Sequence, residues 1–186
     1  MTCIIGMMDE KTNKMYMGGD SAGVWEHISY TRKDPKVFKK DDMLFGYCGS
    51  FRMGQLIRYK FVIPPKDLAI DDYEYLCTTF MDDLMKCLRD NRYATLENNV
   101  LEGGTFLIGY NGVIYKVEDD FQVAIATESY QVCGCGEEFA WGALYTLESS
   151  KIASKLKIKK ALEAAVKFSG WVKPPFNIIS MPVYDE

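Results

Sequence analysis

The period of the hydrophobic positions changes several times along this chain, and each change predicts a new element. Short apolar runs bounded by turn residues predict strands, whereas apolar residues spaced three and four apart predict helices. The resulting order is a group of strands, two helices, more strands, two helices and a last strand. The strands are predicted over residues 3–5, 14–17, 36–40, 43–48, 105–109, 113–117, 130–133 and 176–181.

Four stretches show the helical period. The first begins after Ser50, which is placed to act as its N-cap, and it stops before Pro64. Its apolar positions fall on one face, which is expected to be buried. The other three helices are predicted over residues 71–90, 137–148 and 155–168.

Turn signals and polar segments separate these elements. Asp41-Asp42 is a tight-turn signal between two predicted strands, and Asn111-Gly112 is a strong hairpin signal between two others. The segments 21–35 and 91–104 show no clear period, and we predict them to be loops.

The order of the elements restricts the fold. Two antiparallel sheets, each followed by a helix pair, bury both of their faces only if the sheets stack on each other with the helices outside. We therefore predict an α+β fold, a four-layer αββα sandwich of two antiparallel sheets flanked by helix pairs. A length of 186 residues is typical of one domain, which we predict to span residues 1–186.

Composition and charge exclude several classes of partner. The apolar fraction of 48% and the charged fraction of 26% are ordinary for a globular protein. A formal net charge of −4 gives no basic field for nucleic acid or an anionic membrane. The sequence has no apolar run long enough to cross a bilayer and no recognisable signal peptide. We expect a cytoplasmic protein with neither nucleic acid nor membrane as a partner.

The cysteines and the single histidine indicate little chemistry of their own. Most of the six cysteines fall in apolar patterns, and we expect reduced thiols that pack as small hydrophobes. Cys133 and Cys135 lack a second pair at matching spacing, so no metal site is expected. The only histidine, His27, lies in a predicted loop, which favours a mechanism that uses no histidine.

The first twenty residues offer such a mechanism. If Met1 is removed, Thr2 carries a hydroxyl nucleophile and a free α-amine that can take its proton. The apolar run 3–5 predicts that a buried strand follows Thr2, and the next strand brings Asp20 back towards it. Gly49 lies where a strand turns into a helix, so its amide is available to bind an anion.

Five motifs occur in an order and at spacings that match a known family. With these motifs the chain resembles the proteasome β-subunit family and its bacterial HslV-type peptidase branch, within the N-terminal nucleophile hydrolase superfamily. It looks most like HslV-related proteins that begin Met-Thr-Cys-Ile. The motifs are Thr2 after Met1, Gly19-Asp20, Lys36-Val37, Gly46-Tyr47-Cys48-Gly49 and Gly134-Cys135-Gly136.

The resemblance implies a role for each catalytic candidate. Thr2 Oγ attacks a carbonyl and forms an acyl-enzyme ester, while the α-amine takes and returns the proton. Lys36 lowers the pKa of this amine, and Asp20 holds Lys36 charged and oriented. The amide of Gly49 stabilises the oxyanion.

The resemblance also implies pocket and supporting residues. Tyr47 and Phe51 are expected to line the pocket for the substrate residue before the cleaved bond. Cys135 replaces the family's supporting serine, and a thiol is a poorer hydrogen-bond donor than a hydroxyl. Val166 stands where the family has an aspartate, ahead of Ser169, which is retained as a supporting residue. These departures predict a changed or weaker activity rather than a different nucleophile.

Three functions remain open on the sequence. The first is a threonine peptidase that cleaves polypeptides inside a homo-oligomeric ring, with an ATP-driven unfoldase ring as a candidate partner and no cofactor. The second is an N-terminal nucleophile amidase for a small molecule. The third is a catalytically silent ring or scaffold subunit, which retention of Met1 would favour because an acylated amine is not a base.

The site residues also have structural interpretations. Asp20 is suited to capping a turn, and Lys36 to protecting a solvated strand edge. Gly49 is suited to a backbone position with positive φ.

Overall fold

Alternate side chains of strand β1 (Ile4–Asp9) belong to two different hydrophobic layers. Ile4 is buried between two large sheets, whereas Ile5 is buried between the first of these sheets and a helix pair. Successive side chains of a strand point to opposite faces, so the strand lies in an inner layer of the molecule.

The computed structural model describes residues 2–93, 95–97 and 100–183. Its further strands are β2 (Lys14–Gly19), β3 (Ala22–Trp25), β4 (Ile28–Thr31), β5 (Val37–Lys40), β6 (Met43–Tyr47), β7 (Thr95–Glu97), β8 (Val100–Glu102), β9 (Phe106–Tyr110), β10 (Val113–Val117), β11 (Val123–Ile125), β12 (Tyr130–Cys133) and β13 (Asn177–Pro182). Its helices are α1 (Phe51–Tyr59), α2 (Asp72–Tyr75), α3 (Met81–Asp90), α4 (Glu137–Leu147) and α5 (Ser154–Phe168), and a π-helical turn (Leu76–Phe80) joins α2 to α3.

The two large sheets are antiparallel. The first has the strand order β12-β1-β2-β13, and the second has the order β11-β10-β9-β6-β5. Helices α4 and α5 cover the first sheet, and α1 to α3 cover the second. A third cluster, formed by strand residues and Cys48, fills the space between the sheets. The predicted four-layer αββα sandwich is therefore confirmed.

The hairpin predicted at Asn111-Gly112 is present. Val113 pairs with Tyr110 across it. Both turn residues have positive φ, 43° for Asn111 and 83° for Gly112. This backbone is typical of the two-residue turns that match the twist of antiparallel strands.

The loop prediction for residues 21–35 is wrong, because β3 and β4 form a hairpin there. Trp25, Ile28 and Tyr30 of this hairpin are exposed, so its apolar residues do not follow the alternation of a half-buried strand. The loop predicted over 91–104 contains β7 and β8, while residues 94, 98 and 99 lie outside the described residues. Strand β11 was not predicted, since three residues carry too short a pattern.

Two helices differ from their predicted form. The predicted helix 71–90 contains the π-helical turn, and Asp71 caps its start by accepting a hydrogen bond from the amide of Glu74. Helix α1 ends at Tyr59, although Phe61 beyond it is still buried. No helix in the described ranges is both long enough and apolar enough to cross a membrane.

Candidate active site

Thr2 is held by the turn between β12 and α4. Its carbonyl oxygen accepts a hydrogen bond from the amide of Gly136 at 3.2 Å. Its own amide nitrogen donates to the Cys135 sulfur at 3.2 Å, and the Cys135 thiol donates to the Thr2 carbonyl at 3.4 Å. Gly134 has a φ of +100°, and a Cβ on it would lie 2.4 Å from the Thr2 carbonyl oxygen. Glycine at position 134 is therefore required for the turn to approach Thr2.

Asp20 and Lys36 form an ion pair beside Thr2. The Lys36 Nζ and Asp20 Oδ1 atoms are 2.8 Å apart, and the two side chains are 1% and 0% exposed. Asp20 directly follows β2, and Lys36 directly precedes β5, so the two sheets each supply one partner. The amide of Cys3, the residue after Thr2, donates to the same Asp20 oxygen at 3.1 Å. One carboxylate oxygen thus connects the lysine to the backbone of the candidate nucleophile.

The second oxygen of Asp20 is also satisfied. It accepts from the amide of Ala22 at 2.8 Å and from the amide of Lys173 at 3.3 Å. Lys173 was not a predicted site residue, because a backbone donor can be supplied by any residue except proline. With four donors around it, Asp20 has one orientation that keeps all its bonds, and this fixes the position of the Lys36 ammonium.

Burial changes the acidity of the lysine. Removing the Lys36 ammonium from water lowers its pKa below the ordinary value, although the Asp20 carboxylate opposes this by attraction. The pair matches the charge arrangement expected for a cation beside an N-terminal amine. Its burial is not compatible with the interpretation of Lys36 as a solvated edge lysine.

Gly49 lies two residues before the start of α1, and the space beside its Cα is open. Its φ is +80°, and a Cβ on it would meet no atom within 4 Å. Ser50 caps the helix as predicted, with its hydroxyl accepting from the amides of Arg52 and Met53. The Cβ of Cys48 lies 3.3 Å from the position that a Cβ of Gly134 would take, so this segment adjoins the turn that holds Thr2.

The two predicted pocket residues differ in their surroundings. Tyr47 is buried in the core between the second sheet and its helices, and burial raises the pKa of Tyr47 to about 12. Phe51 is partly exposed, and its ring centroid lies 5.7 Å from Lys36 Nζ. The two rings meet edge to face with centroids 6.0 Å apart, so Tyr47 packs behind Phe51.

Sequence reasoning missed Arg32. Its guanidinium carbon lies 3.7 Å from the Phe51 ring centroid. The residue belongs to the segment 21–35, which shows no clear hydrophobic period, and 18 residues separate it from Phe51. A cation four residues before Lys36 was the only signal that could have drawn attention to it.

The predicted supporting residues are close to each other, and Cys135 contacts Thr2. The Cys135 sulfur and the Ser169 hydroxyl oxygen are 3.9 Å apart. Ser169 also accepts a hydrogen bond from the amide of Trp171 at 3.4 Å. Val166 packs against the core between the first sheet and its helices, where it supplies no charge to the site.

The remaining candidate groups are the cysteines and the histidine. A hydrogen bond with Cys133 lowers the thiol pKa of Cys48. All six cysteines are free, and burial raises the thiol pKa of both Cys3 and Cys133. His27 is exposed in the turn between β3 and β4. Over the ranges that the structure describes, no three His, Cys, Asp or Glu residues are grouped so as to hold a metal ion.

Solved structures of similar shape were found at low sequence identity. BPH of Thiobacillus denitrificans, solved in complex with epoxomicin, matches with a TM-score of 0.83 at 16% identity, over 99% of this chain and 100% of BPH. Eukaryotic HslV from Trypanosoma brucei matches with a TM-score of 0.68 at 16% identity, over 96% of this chain and 98% of HslV. The Anbu (Gly-1) mutant from Hyphomicrobium sp. strain MC1 matches with a TM-score of 0.67 at 10% identity, over 100% of this chain and 84% of Anbu.

No protein-family model and no curated protein sequence matches the chain. The structural likeness nevertheless covers the chain from end to end, and the αββα layers agree with it. The resemblance found in the sequence is thus confirmed at the level of the fold: this chain has the fold of the proteasome β-subunit-like N-terminal nucleophile hydrolases.

Proposed function

We propose that this protein is a threonine peptidase in which Thr2, made N-terminal by removal of Met1, cleaves peptide bonds. The observation that carries the proposal is the shared Asp20 oxygen, which binds both Lys36 Nζ and the amide next to Thr2. This arrangement keeps a cation close to the position of the future α-amine. A nearby positive charge disfavours protonation of an amine, so the amine remains available as a base.

The reaction then follows from the groups at the site. Thr2 Oγ forms a bond to the carbonyl carbon while its proton passes to the α-amine, and the oxyanion is stabilised by the amide of Gly49. The C–N bond breaks as the proton is returned to the leaving amine, which leaves an ester on Thr2. Water attacks this ester with the α-amine again as base, and the acid product and free Thr2 are restored.

We propose a polypeptide substrate and a homo-oligomeric ring for the working protein. Both proposals rest on the likeness to HslV and BPH, and an ATP-driven unfoldase ring is a candidate partner on the same ground. Light scattering of the purified protein tests the assembly, because a ring has a mass many times that of one chain and a monomer does not.

A non-catalytic subunit is the second candidate. Thr2 is only 2% exposed, and its amide nitrogen is engaged by Cys135. A chain that keeps Met1 in this arrangement has no free amine to act as base. The fate of Met1 therefore decides between the two candidates.

The experiment is an intact-mass measurement before and after incubation with a peptide epoxyketone. Loss of one methionine and a single adduct mapped to Thr2 support the peptidase. Thr2→Ser keeps a hydroxyl and should still react, whereas Thr2→Ala should not. A chain that keeps Met1 and takes no adduct contradicts the peptidase and favours the non-catalytic subunit.

A further inference from the structure

We infer that Arg32 makes this site selective for substrates with an acidic residue immediately before the cleaved bond. The inference rests on the proposed peptidase function and goes beyond it by naming the substrate side chain. The carboxylate of that side chain would be bound by the guanidinium of Arg32 above the ring of Phe51.

Phe51 marks where the substrate side chain lies. Only Ser50 separates it from Gly49, and its ring is 5.7 Å from Lys36 Nζ. A carbonyl held at the amide of Gly49 is attached to the Cα that carries this side chain. The side chain before the cleaved bond is therefore brought to the face of α1 where Phe51 stands.

Arg32 covers the Phe51 ring. Its guanidinium carbon is 3.7 Å from the ring centroid, a close cation–π contact. Its backbone amide donates to the carbonyl of Ser21 at 2.8 Å, which fixes the chain next to Asp20. The side chain is 23% exposed, so a substrate can reach it. The guanidinium of Arg32 thus forms a fixed, positively charged wall of the pocket that Phe51 lines.

One edge of the Arg32 guanidinium is left for a ligand. Asp34 occupies the edge formed by Nε and Nη2, with bonds of 2.9 and 2.7 Å. In the described structure, Nη1 makes one long contact, 3.5 Å to the Tyr30 hydroxyl. A guanidinium has five N–H donors in a fixed plane, so the edge between Nη1 and Nη2 still offers donors to a second carboxylate.

The charges favour an acidic substrate over a basic one. Both oxygens of Asp34 already accept from Arg32, and these bonds hold the pKa of the Asp34 carboxyl below its ordinary value. A substrate lysine would have to compete with the planar arginine for this carboxylate. The guanidinium of Arg58, which stacks on the ring of Phe38 at 4.8 Å, is a second positive charge that acts on the Asp34 carboxylate. Two guanidiniums against one carboxylate leave this region positive.

The test is a set of fluorogenic peptides that differ only in the residue before the cleaved amide: Glu, Gln, Leu or Arg. Gln has the shape of Glu without its charge. We expect kcat/KM for the Glu peptide to exceed that for the Gln peptide by about 10-fold or more, as for a charge-assisted bond. Arg32→Gln should abolish this preference, and Arg32→Lys, which keeps the charge but loses the planar fork, should keep only part of it.

Labelling of Thr2 by an epoxyketone with an apolar side chain distinguishes a failure of the proposed substrate preference from a failure of the proposed peptidase function. The Glu and Gln peptides are compared on the same protein, so a fall of their kcat/KM ratio in Arg32→Gln reports on specificity whatever the overall rate of that variant. A ratio that stays at the wild-type value in Arg32→Gln overturns the inference. Equal cleavage of Glu and Gln peptides by a wild-type protein that labels at Thr2 overturns this inference and leaves the peptidase standing. A preference for the Arg peptide that Asp34→Asn removes also overturns it. Absence of both labelling and cleavage refutes the proposed function, and this inference with it.

Discussion

Thr2 and Cys135 contact each other twice. The Thr2 amide nitrogen donates to the Cys135 sulfur at 3.2 Å, and the thiol donates to the Thr2 carbonyl oxygen at 3.4 Å. Sulfur is a weak donor and a weak acceptor, so both contacts support the candidate nucleophile less firmly than a hydroxyl would. Replacing the sulfur of residue 135 by oxygen should therefore change the strength of the hydrogen bonds that hold Thr2.

We expect Cys135→Ser to increase the rate at which Thr2 reacts with a peptide epoxyketone. A stronger hydrogen bond is worth about 0.5 to 1.5 kcal/mol, which corresponds to a rate change of about 2- to 10-fold. Cys135→Ala should lower the rate, because it removes the contact. The rate is measured by intact mass over time.

Cys77→Ser is the matched control for this prediction. Cys77 is an exposed thiol in the π-helical turn of the outer helix layer, so its replacement should leave the labelling rate unchanged. A Cys135→Ser protein that reacts more slowly than the wild type would show that the sulfur itself is needed.

Breaking the buried ion pair of Asp20 and Lys36 should destabilise the protein. Asp20→Asn leaves the Lys36 ammonium buried without its counter-charge, which costs about 3 to 5 kcal/mol of the free energy of unfolding. Urea denaturation measures the change. Catalysis should be lost as well, because the lysine is no longer oriented.

The double variant Asp20→Asn, Lys36→Met tests the cause of that loss. It removes the charge together with its partner, so it should be less destabilised than Asp20→Asn alone. If the double variant loses as much free energy of unfolding as Asp20→Asn and Lys36→Met lose together as single variants, the two charges do not interact. Neither variant should label at Thr2 as fast as the wild type.

The pH dependence of stability follows from the buried tyrosines. Burial raises the pKa of Tyr47 to about 12, whereas an unfolded tyrosine titrates near about 10. Between these values the unfolded state has lost the phenol proton and the folded state still binds it. The unfolded state then binds fewer protons, so the free energy of unfolding falls as the pH rises. Tyr47 contributes a loss of up to about 3 kcal/mol over this range.

Comparison with Tyr47→Phe isolates the effect of this one group. Burial also raises the pKa of Tyr75 to about 12, and the raised pKa values of the buried Cys3 and Cys133 thiols act in the same direction. The lowered pKa values of Cys48 and Lys36 act in the opposite direction. These groups are shared by both proteins, so the difference between their stability curves belongs to Tyr47. Parallel curves from pH 9 to 12 would contradict the assignment.

The layers could be predicted from the sequence because they depend on local patterns, whereas the pairing of Asp20 with Lys36 was implied only by the resemblance to the proteasome β-subunit family. The apolar runs of β1 and β6 are buried as their composition indicates. Asp20 and Lys36 each border a strand, and stacking the two sheets brings the two strand ends together. Burial of a strand face acts over a few neighbouring residues, whereas the contact between the two strand ends depends on how the sheets stack.

Other parts of the site depend on contacts that no local pattern contains. The amide of Lys173 reaches Asp20 across 153 residues, and a backbone donor has no signature in the sequence. Arg32 meets Phe51 only because the hairpin of β3 and β4 folds beside α1, and the exposed face of that hairpin hides its strand pattern. The contacts of Arg32, which we propose to set substrate preference, were thus less predictable than the layers.

Gly134→Ala should damage both the fold and the site. An alanine at a φ of +100° is strained, and its Cβ would lie 2.4 Å from the Thr2 carbonyl oxygen, a backbone atom that cannot rotate away. Strain and overpacking together should lower the free energy of unfolding by about 2 to 5 kcal/mol. The labelling rate of Thr2 should also fall, since relief of the contact requires Thr2 or the turn to move.

Gly142→Ala provides the opposite expectation within the same chain. Gly142 lies inside α4, and a Cβ on it meets no atom within 4 Å. An alanine there should stabilise the protein by about 0.5 to 1 kcal/mol, because glycine is a poor helix former, and it should not change the labelling of Thr2. Equal stability and equal labelling rates of Gly134→Ala and Gly142→Ala would contradict this prediction. The close approach of the turn to Thr2 would then not explain why residue 134 is glycine.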